Sequence, residues 1–153
     1  MPRFSPFTRN AILTVHIAVS VGLLGDSAGF LAVAIRMARS DTSLAILEQA
    51  RVLNMFAVVF GIPLSVAAIL SGVALGLGTK WGVFRYPWVV AKLVLIVTVM
   101  MFGAFVIGPA LTTMLAGIED RRSQLIAAAV YDVVALSIAT ILSVFKPGRQ
   151  FGH

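Results

Sequence analysis

The chain has 153 residues, a mean hydropathy of +1.00, and 59% hydrophobic against 12% charged residues. A soluble domain carries about twice that charged share, so the composition points away from a water-soluble globular fold. There are no cysteines, which removes disulfides, thiolate metal sites and cysteine nucleophiles. The net charge of +6 sits at the ends of apolar segments rather than on one polar face, and it reads as membrane anchoring, not nucleic-acid binding.

Four apolar stretches fill most of the sequence: Ala11–Ile35, Val52–Gly78, Pro87–Ala110 and Gln124–Phe145. Each reaches the about 20 residues that a helix needs to cross a bilayer. The expected fold is all-α, a polytopic bundle of four transmembrane helices with short loops, forming a single domain over residues 1–153.

In the first stretch, Arg3 and Arg9 followed by Ala11–Leu24 have the order of a signal peptide. The apolar pattern resumes at once in Phe30–Ile35, however, so the whole segment is of membrane length and is expected to stay as a helix. Gly25 and Gly29 form a GxxxG pair there, and Gly72 and Gly76 form another in the second span; both are expected at close helix contacts. The first connector ends in Ser43–Arg51, a short amphipathic segment that either lies on the surface or extends the second span. Pro63 and Pro109 are expected to kink or end their helices. Trp81, Phe84, Tyr86 and Trp88, with Lys80 and Arg85, make an interfacial aromatic belt with basic anchors. Gly117–Ser123 is a tight polar turn, and Lys146–His153 is a frayed tail.

Basic residues set the orientation. Arg3, Arg9, Lys80, Arg85, Lys146 and Arg149 lie on one side, against Arg36, Arg39, Arg51, Arg121 and Arg122 on the other. The excess is expected to place both termini in the cytoplasm.

Four ionisable residues fall inside the spans: His16, Asp26, Lys92 and Asp132. A central charge costs about 2.5–3.5 kcal/mol on the insertion scale, so each should face the bundle interior or snorkel outward. Counting from the span centres puts His16 and Lys92 ~10 Å and ~9 Å towards the cytoplasm. Asp26 and Asp132 fall ~4–5 Å on the other side of the midplane. Two layers are therefore expected. One holds His16 and Lys92; the other holds Asp26 and Asp132, with Tyr131, Ser27 and Asn54 near them. Two carboxylates at one depth share a proton or hold a cation between them, a proton or cation site; alternatively they tie the first helix to the fourth. Lys92 alone reads as a snorkelling side chain, and His16 alone as one satisfied on a serine or carbonyl of the next helix.

The phrases Leu13–Arg36 and Trp88–Val106, joined by the aromatic loop Gly76–Leu95, resemble a group of small bacterial membrane bundles. The whole loop phrase is most similar to an uncharacterised, actinobacterial-type four-helix integral membrane family (domain of unknown function 2269). The likeness extends more distantly to copper-resistance D-type proteins and the four-helix protoporphyrinogen oxidase. It implies His16 as a haem ligand and Lys92 as the partner of a propionate or substrate carboxylate. Only one intramembrane histidine is present, and Met100 and Met101 sit ~12 Å from the Lys92 level. Copper has no thiol or histidine cluster to bind, and no metal site is expected.

Three functional classes follow. The first is a structural or accessory membrane bundle, a homo-oligomer or part of a larger membrane complex, with the lipid bilayer as its partner. The second is a haem- or porphyrin-binding redox protein using His16 and Lys92. The third is a small proton-coupled or cation transporter using Asp26, Asp132 and Tyr131. No phosphate loop, nucleophile elbow or metalloprotease helix is present, so the sequence assigns no catalytic residue.

Overall fold

The computed structural model describes residues 4–78 and 86–145. Arg3, Lys80, Trp81, Phe84, Arg85, Lys146, Arg149 and His153 lie outside the described residues. Four helices make up the bundle: α1 Pro6–Ala38, α2 Ser43–Gly78, α3 Pro87–Leu115 and α4 Arg122–Phe145. All four are long and apolar enough to cross a membrane, and the chain is a multi-pass membrane protein of the all-α class.

Their ends follow from local chemistry. Ser5 caps α1 by accepting from the Thr8 N–H at 3.1 Å, with Pro6 in the first turn, so the helix starts before the apolar run does. Thr42 caps α2 by accepting from the Ala45 N–H. Ser43–Arg51 thus extends the second span as continuous helix rather than lying apart from it. After Leu115, Gly117 takes φ 68°, and the Ile118 N–H reaches back to the Thr113 carbonyl, a Schellman closure that only glycine adopts without strain. At the start of α4, Arg122 donates to the carbonyls of Met37, Ala38 and Ser40, satisfying the end of α1.

The two spans with an internal proline are not broken. Each rewinds just ahead of it into a short π-helix, Phe56–Gly61 before Pro63 and Gly103–Ile107 before Pro109. A proline has no N–H for the carbonyl four residues back, and its ring crowds that carbonyl. The longer i to i+5 pairing absorbs both faults: the Ile62 N–H bonds to the Ala57 carbonyl and the Gly108 N–H to the Gly103 carbonyl. Pro109 therefore does not end its helix, which continues to Leu115.

Two apolar clusters hold the helices. Towards the α1–α2 and α3–α4 loops, Phe30, Met37, Leu53, Leu111 and Leu125 pack together. Towards the end that carries both termini, Leu23, Ala68, Val99, Ala135 and Leu136 do the same. The outward side chains are also apolar: Val21 and Leu70 are 65% exposed and Phe105 is 69% exposed. Such a girdle is stable only against lipid.

The glycine pairs behave unequally. A Cβ at Gly29 would lie 2.8 Å from the Phe56 ring, so this glycine is a true close approach of α1 to α2. A Cβ at Gly25 would meet nothing within 4 Å, so Gly25 does not join that contact; it sits on the exposed side of α1.

Candidate functional site

α1 and α2 run antiparallel in a register read from successive contacts. His16 meets Ser71 and Gly72, Gly22 meets Leu64, Asp26 meets Gly61, and Gly29 meets Phe56. Arg36 and Arg51 are exposed and fall at one level near the loop end. His16 is twenty residues from Arg36 along α1, or about 30 Å, one hydrocarbon thickness. Asp26 lies ten residues from each. Gly61 is ten residues from Arg51, and Asp132 is ten from Arg122. Asp26, Gly61 and Asp132 therefore lie ~15 Å from the loop-end arginines and within about a turn of the centres of their helices. This belt separates the two apolar clusters.

Asp26 faces the π segment of α2. Its Oδ2 is 3.3 Å from the point a Cβ on Gly61 would occupy, and the Phe56 carbonyl oxygen is 3.5 Å from that same point. Asp132 projects from α4 into the packed interior and is only 8% exposed. Neither carboxyl makes a hydrogen bond or ion pair among the described residues, and Oδ1 of each is fully enclosed. The expected proton-sharing contact between them is not formed: the structure brings both to mid-depth but leaves each unpartnered. Ser27, beside Asp26, is buried, whereas Asn54 is exposed and stands apart from the belt.

Tyr131 is engaged elsewhere. Its hydroxyl donates to Thr98 Oγ1 at 2.6 Å, Thr98 donates onward to the Leu95 carbonyl, and the Tyr131 ring stacks on Phe102 with centroids 4.3 Å apart. This chain ties α4 to α3 just below the α3 π segment. Tyr131 is fixed next to Asp132 in sequence without bonding to it.

The second expected layer lies at the terminal end. Ser71 Oγ donates to the Ala67 carbonyl at 2.6 Å, which commits its one hydrogen; it therefore accepts from His16 Nδ1 at 2.8 Å. That arrangement fixes the tautomer and leaves Nε2 as the acceptor nitrogen. A Cβ at Gly72 would lie 3.1 Å from Cε1, so the ring seats against α2 because residue 72 is glycine. Lys92 is within electrostatic reach of the imidazole, and its Nζ stands 5.8 Å over the Trp88 ring.

The haem implied by the family resemblance was judged on these donors. His16 offers one ring nitrogen, but the described residues supply no second axial donor at its level. Met100 and Met101 stand eight and nine residues beyond Lys92 on α3, about 12 Å away. The described residues of one copy therefore do not fit a six-coordinate haem. Among the described residues no three His, Asp or Glu side chains converge.

Sequence reasoning missed Ser71, Gly61 and Thr98, and expected Gly72 at a close helix contact without showing that the His16 ring is what it meets. Ser71 and Gly72 adjoin in a run of small residues that reads as packing alone, and nothing local marks Gly61 as the residue opposite a carboxyl. No protein-family model, curated protein or solved structure matches this chain.

Proposed function

We propose that this chain is a small bacterial inner-membrane protein, both termini cytoplasmic, whose mid-depth carboxyls take up and release protons in carrying them across the membrane. The observation that carries this reading is Asp132, buried in the core of an apolar bundle with no hydrogen-bond partner. A polar residue kept only to tie membrane helices together would be bonded across the interface, as Tyr131 is to Thr98. An unpartnered intramembrane carboxyl costs stability, and residues of that kind mark ion and proton pathways. The two π segments at the same depth add to this, since such irregular turns recur at functional sites and where transporter helices line a binding site. The resemblance to small bacterial membrane bundles supports the setting, and the excess of basic residues on the terminal side supports the orientation.

The experiment is proton flux into liposomes that contain the purified protein and a pH-sensitive dye, driven by an imposed membrane potential. Wild-type protein should acidify the lumen, and Asp132→Asn and Asp26→Asn should each abolish the signal while still purifying as folded protein. Flux equal to that of empty liposomes would reject the reading.

A further inference from the structure

We propose that His16 is the proton-exchange station at the terminal end of the bundle, serving the mid-depth Asp26 along the α1–α2 seam. This rests on the proton-carrying reading above. Three observations carry it. First, His16 and Asp26 both face α2, at Ser71–Gly72 and at Gly61, so one helix interface joins them. Second, they stand at different depths on one helix: Asp26 lies ten residues further into the bundle than His16, ~15 Å away. Third, the imidazole is held in one orientation. Its Nδ1–H is committed to Ser71, whose own hydrogen is committed to Ala67, so only Nε2 is left to gain and lose a proton.

The groups around the ring are few. α2 presents Ser71, Gly72 and the Ala68 carbonyl. α3 presents Lys92, whose ammonium acts on the ring through space. α4 carries no titratable residue between Asp132 and its end at Phe145. On α1 itself, Arg9 lies two turns nearer the terminus and Asp26 ten residues deeper.

The step balances simply. A protonated water at the headgroup level gives up one O–H bond as the Nε2–H bond forms. The imidazolium then returns that proton to a water on the bundle side. Nδ1–H stays on Ser71 throughout, and no electrons are transferred.

The test is the same liposome flux assay on full-length His16→Ala and His16→Gln, with and without added imidazole, and with a pH profile for each. Flux through His16→Ala should fall by about a hundredfold, the lower end of what a positioned proton-transfer group contributes. It should recover with imidazole, and the pH profile of His16→Gln should lose an inflection that wild type shows. Rescue by free imidazole separates proton exchange from packing, because a misfolded bundle is not repaired by a small base. If both variants carry protons at the wild-type rate while Asp132→Asn does not, the station is wrong and the proposed function stands. If His16→Ala is slow but imidazole fails to restore it and His16→Gln keeps the wild-type pH profile, His16 is structural and the inference is overturned. If wild-type protein carries no protons, both fall together.

Discussion

Asp26 on α1 lies directly against Gly61 on α2, its Oδ2 3.3 Å from where a Cβ on residue 61 would be. A Cβ there would sit a few tenths of an ångström inside ordinary van der Waals contact, so a side chain at 61 and the carboxyl at 26 would compete for the same space. Gly61→Val should therefore destabilise the bundle by about 1–3 kcal/mol, the usual cost of overpacking. Adding Asp26→Ala should recover most of the loss. Thermal unfolding in detergent of the two single variants and the double variant measures this coupling; simple additivity would mean the two residues do not meet.

Asp132 should be a residue at which stability and function oppose each other. It is buried without a partner, and an unsatisfied buried polar group costs about 1–3 kcal/mol. Asp132→Leu should raise the unfolding midpoint by an amount in that range while stopping proton flux. A lower midpoint for the leucine variant would show that the carboxyl is doing structural duty.

Tyr131 makes two separable contacts. Tyr131→Phe removes the hydrogen bond to Thr98 but keeps the stack on Phe102, and should cost about 0.5–1.5 kcal/mol. Tyr131→Ala also loses the ring and should cost about 3–5 kcal/mol. Equal losses in the two variants would place the energy in the hydroxyl and not in the stacked ring.

Outside the membrane, Asp120 is held below its ordinary pKa, first by its hydrogen bonds from the Arg122 side chain and then by that from the Arg122 backbone N–H. A depressed carboxyl contributes stability that is complete above its unfolded pKa, about 3.9, and is lost as the pH falls through the lower folded value. The tie it orients, Arg122 on the last carbonyls of α1, should thus be unchanged between pH 5 and 7 and weaken only below about pH 4. Because Asp120 is exposed, the effect should be small and reduced by salt. Hydrogen exchange at Arg39 and Ser40, compared between wild type and Asp120→Asn, reads it directly; equal protection in both at pH 6 would dismiss the tie.

Much of the bundle was legible in the residues themselves. Hydrophobic runs of membrane length specify spanning helices because lipid offers the backbone no other partners. The rarity of ionisable residues inside those runs picked out His16, Asp26, Lys92 and Asp132, and counting along a helix of fixed rise gave their depths. A serine for His16 on the next helix was also expected on chemical grounds, and Ser71 fills that role.

What only the tertiary structure decided is azimuth and register. Depth follows from 1.5 Å per residue, but which neighbour a side chain faces depends on how four helices rotate against one another, and spacing alone leaves that open. So Gly29 packs and Gly25 does not, although one motif contains both. Tyr131 turns to Thr98 and away from Asp132, and the two carboxyls share a depth without sharing a bond. The prolines show the same division. The sequence alone required the loss of one helical hydrogen bond at Pro63 and at Pro109; the structure shows that the chain rewinds into a π turn ahead of each and continues without breaking.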